Sequence, residues 1–424
     1  MWSELFTTHQ LEQHARTMAG WHKVDARPRR GADHLLPRLA DNEEALRDAH
    51  VLITHAVRAG TRITPAAEWF VDNYHLIEEQ IRTARRHLPR SYDRELPALV
   101  NEPWTGRPRV YDIALELIAH SHGRVDADVV RAFVGSYQTV QPLRLGELWA
   151  IPIMLRLALI ENLRRVVSSV TAGRRDRERA GFWVDQMLQV AASDPAKVVL
   201  VLASMVKESP VLTNAFVTEF ASRLQGQGPA LLFPMSWLEH RLLEQGQTVE
   251  HVFQLVAQNQ AAHQVAIGNS IGSLRFLGAT DWRDFVEGMS VVEQTLRTDP
   301  ADVYSTMDFS TRNSYRRAVE TMAKASDLSE ESVAQAAVRL AGEAKAGASG
   351  DQGPQSHVGY YLVDEARPQL ENAVHMRRGV RGALRSLAGH CRLALYAGSV
   401  VLISAGLTAL LARSPLVSEL SGWW

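Results

Sequence analysis

Apolar side chains recur at steps of three and four along most of the chain. In "TPAAEWFVDNYHLIEEQIRTARRHL" the positions Phe70, Tyr74, Ile77 and Ile81 share one face, the period of an amphipathic helix. Thr64 supplies a cap and Pro65 the first helical position, both start signals. Asp72, Asn73, Glu78 and Glu79 fall away from the stripe or along its edge, and Glu78 precedes Arg82 by one turn, a supporting surface pair. "YQTVQPLRLGELWAIPIMLRLALIENLRRVV" predicts a turn at Gln141-Pro142, then a helix apolar on most faces at the centre of a bundle. Pro152 is expected to kink or interrupt it. "SDPAKVVLVL" and "TDPADVYSTM" place Asp194 and Asp299 as caps ahead of proline. Asp327 with Glu330 reads as a capping box. Alternating runs bounded by turns are missing. "AKVVLVLASMV" is the nearest to a strand, and its Asp-Pro start and length predict a buried helix instead. The fold class is all-α, a multi-helix bundle or helical-repeat-like domain.

The pattern changes at the far end. "LALYAGSVVLISAGLTALL", residues 393–411, carries no charge and approaches the ~20 apolar residues that cross a bilayer as a helix. Arg377, Arg378, Arg381, Arg385 and Arg392 precede it and Arg413 follows, a bias that leaves the preceding part cytoplasmic. The expected organisation is a flexible or weakly helical segment 1–40, a cytosolic all-α domain 41–340, a linker 341–356, a helical and basic juxtamembrane segment 357–392, one transmembrane helix 393–411 and a tail 412–424.

Composition narrows this picture. The 424 residues hold 46 basic and 47 acidic side chains, so no global field attracts nucleic acid. A single cysteine, Cys391, excludes an intrachain disulfide and fits a reducing compartment. The polar start "MWSELFTTHQLEQHARTMAG" lacks the apolar core of a secretory signal.

Candidate chemistry is sparse. "GNSIG", from Gly268 to Gly272, matches the Gly-x-Ser-x-Gly elbow around Ser270, with Asp308 and His357 or His375 following. An elbow needs a strand before its serine, whereas Val249, Val252, Phe253 and Val256 follow helical spacing. Small residues permitting close helix approach, or a bend between helices, are the reading here. Asp126 and Asp128 form an Asp-x-Asp like that of many glycosyltransferases, but they precede a helical run and read as a cap with a negative first turn. Asp281, Asp284 and Glu287 read as a solvated face. His9, His14 and His22 lack metal-site spacing and read as solvated histidines. A phosphate-cradling loop and a His-Glu-x-x-His pair are absent from the chain. No catalytic, cofactor-binding or metal-ligating residue is assigned.

Longer blocks carry a resemblance. "AEWFVDNYHLIEEQIR", "YQTVQPLRLGELWAIPIMLRLALIENLRR", "GNSIGSLRFLGATDWRDFVEGMSVVEQTLRTDPADVYSTMDFSTRNSYRRAVE" and "HVGYYLVDEARPQLE" together resemble the N-terminal region of bacterial cyclic β-1,2-glucan synthases over about residues 40–412. The resemblance implies a large inner-membrane enzyme with a glucosyltransferase module using UDP-glucose and a divalent metal, and a glycoside-phosphorylase-like region. The signatures of those modules do not occur here, so the chain reads as the N-terminal, non-catalytic segment, bracing the transferase and itself holding no cofactor. Its expected partners are the transferase and phosphorylase-like modules, and membrane lipid through 393–411. Candidate contacts are Glu68, Trp69, Asp72, Asn73, Tyr74, Glu147, Trp149, Asp308, Arg312, Tyr315 and Arg316, aromatic, arginine and polar types that recur at interfaces. The alternative is a self-standing membrane-tethered helical scaffold that binds a protein or a glucan.

Overall fold

A computed structural model describes residues 4–25, 34–61, 63–89, 92–208, 210–347, 353–377 and 403–407. The chain divides into two compact units, Met1–Ser290 and Val291–Trp424. The first holds α1 (Thr8–Trp21), α2 (Leu35–Arg58), α3 (Pro65–Asp72), α4 (Tyr74–His87), α5 (Tyr92–Glu95), α6 (Arg109–His120), α7 (Ala127–Gln138), α8 (Leu145–Ser193), α9 (Val198–Lys207), α10 (Asn214–Leu224), α11 (Leu232–Leu243), α12 (Val249–Ala279) and α13 (Arg283–Met289). The second holds α14 (Val291–Leu296), α15 (Phe309–Lys324), α16 (Glu330–Gly347), α17 (Val358–Leu362) and α18 (Arg367–Ala373). Among the described residues the only sheet is a two-residue antiparallel pair, β1 (Val24–Asp25) with β2 (Ala98–Leu99). The all-α expectation therefore holds for the described residues.

Local signals start these helices where the sequence places them. Thr64 Oγ1 accepts from the Ala67 amide at 3.3 Å and Asp126 Oδ1 from the Val129 amide at 2.9 Å, each meeting an orphan donor of the first turn. Four expectations shift. The helix after Thr64 breaks at Asn73 into α3 and α4. Pro152 does not interrupt α8, although its nitrogen cannot donate to Leu148; burial along the rod outweighs that one lost bond. Ser329, not Asp327, caps α16, its hydroxyl accepting from the Ser332 amide at 3.1 Å, while Asp327 pairs with Arg377 at 2.6 Å. The helix-forming Ala, Glu and Lys residues of 341–346 carry α16 on to Gly347.

One long rod organises the first unit. The 49-residue α8 is about 70 Å long at ~1.5 Å per residue, and it packs against α2, α6, α10 and α12. Its first half is buried on nearly every side, from Leu145 to Val170, in a core shared with α1 to α4, α6, α7 and the end of α12. Its last turns, with Trp183, Val184 and Met187, enter a second core with α9, α10 and α11. Between the cores α8 is polar, "GRRDRER" over 173–179. The second unit has a smaller core of its own around Leu296, Tyr304, Val319, Val333 and Leu362.

The expected transmembrane helix is not supported. Among the described residues no helix is long and apolar enough to cross a membrane. Most of 393–411 lies outside the described residues; 403–407 is described as a helical stretch with exposed side chains. The "AKVVLVL" stretch is also less buried than its composition predicts. It forms α9, yet Val199 and Leu200 are exposed, because only one side of α9 meets its neighbours.

Candidate functional site

The polar waist of α8 opens into a cavity of about 380 Å³ lined by Arg174, Arg177, Phe182, Asp185, Glu219 and Arg223, with Ile53 and Val170 as apolar floor. A neighbouring cavity of about 130 Å³ shares Thr64, Val170 and Arg177 and adds Asn214, Asn259, Gln260 and His263. Ion pairs fix the walls: Arg174 with Glu178 at 2.6 Å and Arg223 with Asp185 at 2.5 Å. Thr213 donates to Asp176 at 2.7 Å, tying the start of α10 to the waist. Arg177 lines both cavities, and burial pulls its pKa below the usual arginine value. Burial likewise lowers that of His263. Phe182 is 57% exposed. An exposed aromatic ring amid charged groups, with the amides of the neighbouring cavity beyond Arg177, suits a polyhydroxylated ligand, which offers C–H faces and hydroxyl rims.

The expected contact residues of the first unit separate into two sorts. Glu68 and Asp72 are exposed on α3, and Trp69 beside them is 46% exposed. Asn73 instead points inward: its Nδ2 donates to the Trp69 carbonyl and its Oδ1 accepts from Arg275 at 2.8 Å. Tyr74 stacks on His50 with ring centroids 3.9 Å apart. Trp149 packs partly buried against the first core. Glu147 is 0% exposed, gripped by Arg109 through bonds of 2.9 and 2.5 Å, and it accepts from the Arg144 amide at the start of α8. Arg109 also reaches Gln141 and the Pro142 carbonyl, so this bidentate pair joins α6 to α8 through the turn between α7 and α8.

The second unit has its own charged centre. Glu293 is buried on α14 and meets Arg316 at 2.5 Å, Arg312 at 3.5 Å and the Tyr304 hydroxyl at 2.7 Å. Burial and that carboxylate push the Tyr304 pKa up. Arg316 lies inside the core, its guanidinium 5.1 Å from the Phe309 ring centroid. Tyr315 is nearly buried and its hydroxyl lies 3.3 Å from His357 Nε2. His357 Nδ1 lies 2.7 Å from Asp299, whose carboxylate also accepts from the amides of Val303, Tyr304 and Val358. Burial raises the Asp299 pKa, but these hydrogen bonds outweigh it and hold the group below the ordinary aspartate value. Asp299 thus caps only the short turn at 304–306 and instead clasps two segments nearly sixty residues apart. Asp308 is exposed and caps α15, accepting from the hydroxyls and amides of Ser310 and Thr311, which depress its pKa strongly.

Ser270 sits mid-helix in α12, 0% exposed. Its hydroxyl donates to the Ala266 carbonyl at 2.7 Å and accepts from Asn162 at 3.0 Å, with no strand beneath it. The close approach made here is not at Gly268 or Gly272, which have open space, but at Gly123: a Cβ there would lie 2.4 Å from Ser270 Oγ. Two histidines also leave the solvated class. His22 is buried between Tyr137 at 2.9 Å and Asp112 at 3.4 Å. His14 meets Glu116 and His120 of α6, the one group among the described residues able to hold a metal ion. His9 is exposed as expected.

These features define, over the described residues, a nearly all-helical module whose buried charges join helices and whose open chemistry lies at a waist of the first unit. No protein-family model matches the chain. Over 353 residues, 81% of its length, it is 33% identical to the cyclic beta-(1,2)-glucan synthase NdvB of Rhizobium meliloti (strain 1021), and it covers 12% of that protein. The chain is thus related to one portion of a cyclic β-1,2-glucan synthase, as its sequence blocks lead one to expect.

Proposed function

We propose that this chain is a non-catalytic helical scaffold of a cyclic β-1,2-glucan synthase, bracing the modules that transfer glucose from UDP-glucose and trim the glucan. The observation that carries this reading is the match of most of the chain to a portion of such a synthase, laid on a fold whose described residues hold only a two-residue strand pair. Glucosyl transfer from a sugar nucleotide on an α/β platform needs strand ends to hold the nucleotide and metal, and the chain brings rods and buried ion pairs instead. A docking face is available. The mutually packed helices α9 and α11 leave Leu200, Leu232, Phe233 and Leu243 more than half exposed, the kind of apolar surface that marks protein contact. The test is to purify the chain and assay incorporation from radiolabelled UDP-glucose, then co-express it with the transferase region of a related synthase. Scaffold function predicts no incorporation by the chain alone and stable co-purification, lost on changing Leu232 and Phe233 to Asp. Turnover by the isolated chain rules the reading out.

The waist cavity favours a second reading, in which the first unit itself touches glucan through Phe182 and the surrounding polar groups. Phe182→Ala should then weaken binding of linear β-1,2-glucan, measured by calorimetry, by about tenfold, the loss of ~1.4 kcal/mol. Equal binding by the variant removes that reading and leaves the scaffold role untouched.

A further inference from the structure

The end of α6 and the middle of α1 bring together two imidazoles and a carboxylate that local sequence does not connect. Glu116 and His120 are one helical turn apart and so share a face. His14 approaches them from α1, its Nε2 3.0 Å from Glu116 Oε2. His120 Nε2 lies 3.5 Å from the same oxygen, and the three ligand atoms all lie within 4.8 Å of one another. Ligand atoms ~2.0–2.2 Å from a tetrahedral zinc stand roughly 3.3–3.6 Å apart, so small side-chain rotations close the set.

The supporting contacts set the tautomer. His120 Nδ1 lies 2.8 Å from the Glu4 carbonyl. A carbonyl only accepts, so Nδ1 carries the hydrogen, and in the neutral ring that leaves Nε2 as the ligating nitrogen. The Phe6 ring stacks on His120 at 4.0 Å and meets His14 edge-on at 5.5 Å, and the Phe6 amide donates to the His120 carbonyl. The segment at 4–7 therefore fixes both rings and shields them on one side. The side chains of His14, Glu116 and His120 keep 22%, 31% and 16% exposure, leaving an approach for the ion and one water.

We propose that His14, Glu116 and His120 form a zinc site that fastens α1 and the preceding segment to α6. Two imidazole nitrogens and one carboxylate suit a borderline ion such as Zn²⁺ and not Mg²⁺ or Ca²⁺, which take oxygen ligands. This site does not depend on the scaffold reading. The full chain, stripped by chelator, is titrated with ZnCl₂ by calorimetry; one saturable site is expected, with no response to MgCl₂. His14→Ala and His120→Ala are each expected to weaken binding by more than about 100-fold, beyond the roughly 10–100-fold of losing a supporting partner. His9→Ala, an exposed histidine on the same helix, should bind as the parent does. Zinc K-edge absorption of the loaded parent chain, which needs no variant to fold, should read two imidazoles and at least one oxygen. Absence of saturable binding, parent-like affinity in both histidine variants, or a spectrum with fewer than two imidazoles overturns the assignment.

Discussion

Both units bury an arginine against a glutamate, but they use the pair differently. In the first unit Arg109 and Glu147 are buried beside a large core, next to a turn whose amide and carbonyl groups complete the guanidinium. In the second unit Glu293 and Arg316 are buried within a smaller unit, with Arg312 and Tyr304 on the same carboxylate. A large core buries more apolar area, whereas a small one has fewer methyl groups to hold it. Charge is thus a joint in the first unit and a keystone in the second.

Breaking that keystone is expected to have the largest effect. Arg316→Met leaves Glu293 buried beside one partner fewer and should cost about 3–5 kcal/mol, as loss of one half of a buried pair does. Hydrogen exchange read by mass spectrometry should show protection lost across α14 to α17 and kept in α8. The reciprocal change in the first unit is Leu159→Ala on the fully buried face of α8, expected to cost about 2–5 kcal/mol by denaturant unfolding. It should lower protection in both cores of that unit while the second unit keeps its own. Gly123→Ala comes next: φ is +78° and the new methyl meets Ser270 Oγ, so about 1–3 kcal/mol is expected. Adding Ser270→Gly should return part of the loss, a coupling that a double-mutant cycle measures.

Acid has a gentler effect. Asp299 has a folded pKa below its unfolded value, so its contribution is complete above the ordinary aspartate pKa of ~3.9 and is lost as pH falls through the depressed folded value. Chemical denaturation followed between about pH 5 and 2 should show the second unit weakening over that window. Asp299→Asn should flatten that dependence. The smallest effect belongs to the surface: Glu78→Ala removes a 3.7 Å pair with Arg82 whose side chains are 49% and 64% exposed, and the unfolding free energy should change by less than about 0.5 kcal/mol.

Local rules made the helices legible. Thr64, Pro65 and Asp126 act on neighbours two or three residues away, and the apolar period marks which face turns inward, as at Phe70, Ile77 and Ile81. What stayed hidden was contact between distant parts of the chain. His14 with His120, Gly123 with Ser270 and Asp299 with His357 leave no mark in any short window, since their partners lie tens to hundreds of residues away. Among the expected contact residues, Glu68, Trp69 and Asp72 are available to a partner, whereas Glu147 and Arg316 spend their charge inside the fold. A polar residue in a helical run looks the same in sequence whether it faces water or a buried opposite charge. The boundary at Ser290 was invisible for a related reason, because no change of composition accompanies it.

The unbroken course of α8 through both cores of the first unit has a bearing on how this chain can be taken apart. A continuous backbone ladder offers no seam at the waist, so neither half can be transplanted, deleted or exchanged without exposing the apolar side of the other. Recombination between relatives should therefore succeed at the junction after Ser290 and fail at residues 173–179.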